Sequence, residues 1–238
     1  MKLLLIGIGC GDPDHLTLQA VKALNAFDTL YVVTKDGAEE LVAMRRELVA
    51  RHRGAPYRTV ELPDPPRPWR TAADYPTAVA HWREQRATLW REALKDDIGA
   101  FLVWGDPSLY ESTLSIVDAL GVDYEVIPGV SSLHALTAAH RIPLNRVGRP
   151  VRITPARLLA DGMTEDVVVM LDAGDALQAL DPRSLEIFWG AYLGTPDQLL
   201  IRGPLAEAAP KIAAARKAAK ARKGWVFDIY LLRRCDAS

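Results

Sequence analysis

The chain has few of the residues that mark secreted, zinc-binding or membrane-spanning proteins. Its 238 residues include two cysteines, Cys10 and Cys235, too few for a disulfide scaffold or a closed zinc site, and this predicts a reducing compartment, the cytoplasm. The five histidines have no metal-ligand spacing, so no metal is expected. No apolar run approaches the roughly 20 residues that cross a bilayer. Glycines interrupt the apolar N-terminus and no cleavage site follows, so we interpret it as a first strand.

Neither sign of charge dominates. The formal net charge is -1, which argues against a general electrostatic attraction to nucleic acid or to an anionic membrane. A basic run at 211–223 spreads around a predicted helix, and we interpret it as a solvated face. A hydrophobic content of 49% and a charged content of 25% are those of an ordinary globular protein with a sizeable core. The expected partner is therefore a small molecule bound locally.

Strand and helix patterns alternate in the first half of the chain. Apolar runs predict strands at 3–8, 29–33, 57–62, 101–104 and 124–127. Helical spacing of apolar residues predicts helices at 17–26, about 41–49, 78–94 and 113–120. Repeated β and α units indicate a mainly parallel sheet with helices on both faces.

The second half changes character, because its strands follow one another with few helices between them. Strands are predicted at 151–154, 167–171, 185–193, 198–202 and 225–232, with helices ending near 141 and spanning 205–223. This order favours a mixed or antiparallel sheet, and hence a second domain. We expect a two-domain α/β protein, with an N-terminal domain of residues 1–128 and a C-terminal domain of residues 129–238.

The tripeptide Gly-Asp-Pro stands twice behind an apolar strand, at 11–13 and at 105–107. In an open parallel sheet the ligand crevice lies beyond the carboxyl ends of the strands, so two such loops would line one edge. Gly105 would let a ligand approach the backbone and Asp106 would supply an acceptor. The alternative is a pair of ordinary βα turns. A dinucleotide site is disfavoured, since the first loop lacks the third glycine and carries Asp12.

A third strand-end loop, PGVSS at 128–132, carries two hydroxyls that either bind a ligand or cap a helix. With GIGCGDPDHLT at 7–17 and GDPSLY at 105–110, it resembles the tetrapyrrole methylase family in order and spacing. Members of this family transfer a methyl group from S-adenosylmethionine. Further segments resemble one branch of the family, and they are YVVTKDG, WGDPSLYESTL, HRIPLN, WGAYLGTPDQLLIRGPL and GWVFDIYLLRR.

The resemblance implies a two-domain α/β enzyme that binds S-adenosylmethionine between its domains, and a homodimer is expected. The branch implies C-methylation of precorrin-5 at C-1, in aerobic cobalamin biosynthesis, with the two-carbon fragment at C-20 released as acetate to give precorrin-6A. Pro155 and Ala156 depart from the more flexible Thr-Gly type of sequence in that branch, so the contacts of this loop are not implied.

The resemblance also assigns residues to roles. The cofactor-binding residues it implies are Gly105, Asp106, Leu109, Ser131, Ser132, Met170, Leu171, Ala191, Tyr192, Gly203, Pro204 and Leu205. Substrate-binding residues are expected at Gly9, Gly11, Tyr110, Arg149 and Arg152. Asp12, His15 and Asp106 are the candidates for the proton transfers that acetate release needs. For Tyr110 and Tyr192 the alternative is core packing, and for His15 it is a helix-start residue.

Arginines support the acidic substrate independently of the resemblance. Five of them lie between 141 and 157 with no acidic residue, at positions 141, 146, 149, 152 and 157. A guanidinium pairs bidentately with a carboxylate, which suits a tetrapyrrole that carries many of them. The alternative for each is a solvated surface. Other functions also stay open: methylation of another precorrin carbon or of a protein or RNA substrate, and a nucleotide-binding module without transferase chemistry.

Overall fold

The computed structural model describes residues 1–34, 39–66, 74–95, 97–159, 163–174 and 176–235. The end of the YVVTKDG segment lies outside these residues. The chain divides into two compact units. The first comprises Met1–Gly9 and Pro13–Ser131, and the second comprises Cys10–Asp12 and Ser132–Ser238.

The first unit contains a five-stranded sheet in the order β3-β2-β4-β1-β5. Its strands are β1 (Lys2–Gly7), β2 (Thr29–Thr34), β3 (Arg58–Pro63), β4 (Ile98–Val103) and β5 (Asp123–Ile127). Every pairing in it is parallel. Leu5, opposite Phe101 and Val126, is fully buried, as expected for a central strand covered on both faces. The predicted parallel sheet is confirmed.

Helices cover both faces of this sheet. Those in the described residues are α1 (Leu18–Leu24), α2 (Glu39–His52), α3 (Tyr75–Ala93) and α4 (Thr113–Leu120). Leu24 of α1 and Val49 of α2 pack into one apolar cluster, while Trp90 of α3 and Ile116 of α4 pack into the other. The start of α1 is fixed by Thr17, whose Oγ1 accepts a hydrogen bond from the Ala20 N–H at 3.0 Å.

The second unit contains a mixed five-stranded sheet in the order β6-β7-β10-β8-β9. Its elements are α5 (Ser132–His140), β6 (Val151–Pro155), β7 (Asp166–Met170), β8 (Leu185–Ala191), β9 (Leu199–Pro204), α6 (Leu205–Lys223) and β10 (Asp228–Arg234). β6 and β7 are parallel, and the remaining pairs are antiparallel. Val167, Trp189 and Tyr230 are fully buried in its core with Leu205 of α6. The mixed sheet is also confirmed.

Two details of the second unit differ from the sequence-based prediction. β10 begins at Asp228 rather than at 225, because Trp225 packs edge-on against Tyr192 with ring centroids 5.0 Å apart. The basic helix is not solvated all round, since the Arg216 side chain is 12% exposed and is ion-paired with Asp172 and Asp228. In the described residues no helix is both long and apolar enough to cross a membrane.

Candidate cofactor and substrate site

Three glycines bring the carboxyl ends of β1, β4 and β5 into backbone contact. A Cβ on Gly7 would lie 2.6 Å from the Gly129 nitrogen, and a Cβ on Gly129 would overlap the carbonyl oxygen of Gly105. No side chain fits between these backbones. Three motif loops therefore meet at one edge of the parallel sheet. They are the first loop at 7–17, the central loop at 105–110 and the serine loop at 128–132.

A two-residue bridge joins the first and central loops directly. Gly9 and Gly105 form an isolated antiparallel pair, in which Gly105 N–H donates to the Gly9 carbonyl at 2.8 Å and Gly9 N–H donates to the Gly105 carbonyl at 3.3 Å. Both have positive φ angles, 72° and 66°. The bridge lies beyond β1 and β4, where the chain switches from building the sheet on one side to building it on the other. Ligands of open α/β sheets bind at such a switch point.

Asp106 braces this arrangement. One carboxylate oxygen accepts the Gly129 N–H at 2.9 Å, and the other accepts the Ser108 N–H at 2.9 Å and the Ser108 hydroxyl. The carboxylate thus ties the central loop to the serine loop, a use that the sequence does not reveal. Its proposed part in proton transfer stays a prediction.

The other two candidate acid–base residues lie in different units. His15 ends a short 3-10 turn, Pro13–His15, and its Cβ fills the space that a Cβ on Gly9 would need, at 2.8 Å. Asp12 belongs to the second unit with Gly11. A Cβ on Gly11, whose φ is 141°, would overlap the Thr195 side chain. Gly9 and Gly11 are therefore fixed by packing on their own units.

Three predicted site residues have a strained backbone. Among the described residues the non-glycine positions with positive φ are Tyr110 (49°), Arg141 (57°), Leu171 (56°) and Tyr192 (50°). Bulky side chains rarely adopt this left-handed conformation, and such strain concentrates at ligand sites. Leu171 is 61% exposed despite its apolar side chain. Tyr192 is buried, its hydroxyl donates to the Trp225 carbonyl and its N–H donates to the Phe227 carbonyl, so its contact with a ligand stays a prediction.

The second unit brings some of the predicted cofactor residues together and separates others. Met170 pairs with Ile229, which pairs with Gly190, so the ends of β7 and β8 with Leu171 and Tyr192 lie at one sheet edge. Gly203 instead pairs with Ile187, four residues before Ala191 and therefore roughly 13 Å along the strand.

The remaining predicted cofactor residues have different surroundings. Gly203 has a φ of 137°, and nothing lies within 4 Å of the place where its Cβ would be. Pro204 ends β9 and the buried Leu205 begins α6. Leu109 N–H closes the central loop on the Asp106 carbonyl at 3.2 Å. Ser131 is buried and Ser132 begins α5, and the choice between ligand binding and capping stays open.

The arginine cluster is only partly available to a substrate. Arg146 makes a bidentate pair with Asp166, at 2.8 and 3.1 Å, and Arg152 lies 3.2 Å from a Glu165 carboxylate oxygen. Arg146 therefore has an acidic partner within the chain, and its contact with a substrate stays a prediction. Its partner lies 20 positions along the chain and comes close because β6 and β7 are parallel neighbours, with Val151 opposite Asp166. Arg149 is exposed.

One cation beside the end of β4 was not anticipated from the sequence. Arg45 of α2 donates through Nε to the Leu102 carbonyl at 3.2 Å, and its guanidinium lies 5.0 Å from the centre of the Trp104 ring. β2 pairs with β4 only as far as Phe101, which leaves the Leu102 carbonyl open to this side chain. Burial lowers the pKa of Arg45 to about 10, and the nearby Glu111 opposes that shift. One arginine among several on a helix gives no sequence signal.

Neither metal nor disulfide chemistry is indicated in the parts of the chain described. They contain no group of three or more histidine, cysteine, aspartate or glutamate residues that could hold a metal ion. Cys10 and Cys235 are free thiols.

The two thiols are predicted to differ sharply in reactivity. Burial raises the pKa of Cys10 to about 12, so roughly one molecule in ten thousand carries its thiolate at pH 8, whereas Cys235 is exposed. A disulfide reagent should therefore modify one thiol per native chain rapidly and two after unfolding. The Cys235→Ser variant should show almost no rapid reaction. Rapid modification of that variant would contradict the assigned environment of Cys10.

Comparison with known proteins agrees with this geometry. Residues 2–209 match the family model described as Tetrapyrrole (Corrin/Porphyrin) Methylases. The chain therefore belongs to the tetrapyrrole methylase family. Over 250 aligned residues it is 45% identical to the precorrin-6A synthase (deacetylating) of a Sinorhizobium species, covering 98% of this chain and 95% of that one.

Solved structures show the same fold. A cobalamin synthesis related protein (CobF) from Corynebacterium diphtheriae is 34% identical, with a TM-score of 0.82, and the match covers 99% of this chain and 100% of that one. The uroporphyrin-III C-methyl transferase of Thermus thermophilus, solved in complex with S-adenosylhomocysteine, has a TM-score of 0.59 at 21% identity. That match covers 98% of this chain and 92% of the other, and it shows the fold alone.

Proposed function

We propose that this chain is an S-adenosylmethionine-dependent C-methyltransferase of cobalamin biosynthesis that methylates precorrin-5 at C-1 and releases acetate to give precorrin-6A. The observation that carries the proposal is the 45% identity to a deacetylating precorrin-6A synthase over almost the whole of both chains. The glycine-built meeting of three loops at the β1–β4 edge supports it, since those loops carry the motifs of the family.

The chemistry asks the protein mainly for alignment. The sulfonium of S-adenosylmethionine supplies the electrophilic methyl group, so the chain needs no nucleophilic side chain of its own. Gly105 and Leu109 of the central loop, with Leu171 and Tyr192 at the strand ends of the second unit, are proposed to hold the cofactor. No side chain at Gly105 blocks approach to the central loop, and Leu171 presents an exposed side chain on a left-handed backbone.

Acetate release needs water as well as proton transfer. Water adds to the acetyl carbonyl at C-20 and the carbon–carbon bond to the ring breaks. The electron pair left on the tetrapyrrole forms the new bond to the methyl group at C-1, and the two protons of the added water are released. Asp12, His15 and Asp106 are the proposed groups for these proton transfers. Gly9, Gly11, Tyr110, Arg149 and Arg152 are proposed to contact the substrate. Arg152 would do so while sharing Glu165.

Ligand binding separates this function from the nucleotide-binding alternative. S-adenosylhomocysteine should bind and raise the melting temperature, because a ligand selective for the folded state stabilises it. ATP and NAD should produce no shift at the same concentrations. A shift with ATP or NAD and none with S-adenosylhomocysteine would overturn the proposal. If S-adenosylhomocysteine binds, activity on a panel of purified tetrapyrroles distinguishes methylation of precorrin-5 from methylation of another precorrin.

Leu171→Gly is expected to stabilise the protein and weaken cofactor binding together. The left-handed conformation costs a non-glycine residue roughly 1–2 kcal/mol, part of which glycine recovers, so the gain is about 1 kcal/mol at most. Loss of the exposed side chain should raise the Kd for S-adenosylhomocysteine several-fold. Denaturant unfolding and calorimetry measure the two effects.

Arg141→Gly is the matched control for that variant, since Arg141 has the same backbone conformation outside the predicted cofactor residues. It should give a similar gain in stability with unchanged affinity. If both variants bound equally well, Leu171 would not contact the cofactor.

We also propose that the enzyme is located in the cytoplasm and forms a homodimer. The two free thiols support a reducing compartment. Light scattering of the purified protein tests the assembly, and a single-chain mass would refute the dimer.

A further inference from the structure

A network of buried charges lies in the second unit, outside every role assigned so far. The Arg216 side chain is 12% exposed, and its two partners, Asp172 and Asp228, are 3% and 4% exposed. Arg216 donates through Nη2 to Asp172 at 2.9 Å and through Nε to Asp228 at 2.6 Å. The Tyr230 hydroxyl donates to the same oxygen of Asp172 at 2.9 Å, and Trp189 Nε1 donates to Asp228 at 2.8 Å.

Each carboxylate is attached directly to a strand end that is proposed to hold the cofactor. Asp172 follows Leu171, and Asp228 is the residue opposite Ala191 in the β8–β10 pair. The residue before Asp228 accepts the Tyr192 N–H at 2.9 Å through its carbonyl. One guanidinium on α6 therefore connects the segments that contain Leu171 and Tyr192, two of the residues with positive φ in this unit.

The two carboxylates are held differently. Burial would raise the pKa of Asp172, but the Gly174 N–H at 2.8 Å, Arg216 and Tyr230 together lower it. At Asp228 burial prevails and raises the pKa, despite Arg216 and Trp189. The buried cluster thus holds two carboxyl groups and one guanidinium, and transferring such groups out of water costs free energy. Well-packed neutral residues often replace such clusters without loss of stability, so stability alone does not account for this one.

We propose that Arg216 is a positioning residue for S-adenosylmethionine, which fixes the Leu171 and Tyr192 backbones through Asp172 and Asp228. The inference rests on the proposed function, because it assumes that these strand ends receive the cofactor. The Arg216 side chain is buried against the two carboxylates, so it acts through them rather than by touching the ligand.

A neutral network provides the test. The triple variant Arg216→Met, Asp172→Asn and Asp228→Asn keeps acceptors for Tyr230, Trp189 and Gly174 and removes all three charges of the network. It should melt within a few degrees of the parent protein, while the Kd for S-adenosylhomocysteine rises at least tenfold. KM for S-adenosylmethionine should rise with it, and KM for the tetrapyrrole should stay unchanged. A folded triple variant with a Kd within twofold of the parent would overturn the proposal.

A matched control and a second variant keep the test decisive. Arg222 lies on the same helix as Arg216 and pairs with Asp197 at the surface. Arg222→Met removes that pair and should leave the Kd for S-adenosylhomocysteine unchanged. If the triple variant does not fold, Arg216→Lys retains the charge but cannot bridge both acids, and it should raise the Kd severalfold. An unchanged Kd in that variant would refute the positioning role.

Amide exchange distinguishes failure of this inference from failure of the proposed function. In the triple variant, exchange should accelerate at residues 171–174 and 192–194 and not at 186–190, whether or not the protein binds S-adenosylhomocysteine. Uniform acceleration would mean that Arg216 only stabilises the unit. Selective acceleration in the triple variant, together with a parent protein that binds no S-adenosylhomocysteine, would refute the cofactor assignment. The role of Arg216 in fixing the Leu171 and Tyr192 backbones would then still stand.

Discussion

Gly129→Ala is expected to destabilise the first unit by about 3 kcal/mol or more, at the upper end of what overpacking costs. The added methyl group would overlap the Gly105 carbonyl oxygen and press on Gly7, and both neighbours are backbone that cannot rotate away. The ends of β1, β4 and β5 would have to separate. Thermal unfolding should show a melting temperature lower by roughly 6–12 °C.

Gly54→Ala is the control for that variant. Gly54 follows α2, has no neighbour within 4 Å of the Cβ position, and does not have a left-handed backbone. Its replacement should change stability by less than about 0.5 kcal/mol. Equal melting temperatures for the two variants would mean that the three strand ends are not packed backbone to backbone.

Arg86→Met should cost about 3–5 kcal/mol, because it leaves the Asp64 carboxylate buried without the guanidinium beside it. The two side chains are 7% and 3% exposed, and Arg86 Nε lies 3.0 Å from Asp64 Oδ1. The guanidinium also lies 4.5 Å from the centre of the Trp82 ring and donates to the Ser112 hydroxyl at 3.1 Å. This one residue therefore holds the chain after β3 and the start of α4 against α3.

The same substitution at Arg46 measures what burial adds. Arg46 pairs with Glu61 at 2.7 Å, but the two side chains are 50% and 58% exposed, and such pairs contribute about 0–1 kcal/mol. Urea unfolding of both variants gives the comparison directly. If Arg46→Met cost as much as Arg86→Met, burial would not be the reason for the difference.

Periodicity predicts most of the elements because each strand and helix carries its own apolar pattern. The parallel sheet, the mixed sheet and α6 at 205–223 follow from local signals of this kind. The recurrence of Gly-Asp-Pro behind apolar strands also predicts that two loops share one sheet edge. Backbone contact among Gly7, Gly105 and Gly129 could not be predicted from such local patterns, because it depends on the order of the strands in the sheet.

Pairing across the chain explains the charged residues whose roles the sequence did not reveal. Arg146 and Arg216 look like solvent-facing or substrate-facing cations in the linear sequence, yet each meets a buried acid on a distant strand or strand end. The left-handed backbone of Leu171 and Tyr192 is equally hidden, because leucine and tyrosine favour other conformations. Strain of this kind is imposed by tertiary contacts, and no local pattern announces it.

The most direct test of the central claim is the stoichiometry of a single turnover. Incubation of the protein with precorrin-5 and S-adenosylmethionine should give one methyl transfer, one S-adenosylhomocysteine and one acetate per pigment molecule. Mass spectrometry of the pigment and an enzymatic acetate assay measure the two products together. A methylated pigment formed without acetate would contradict the deacetylating activity, and an unmethylated pigment would contradict the methyltransferase itself.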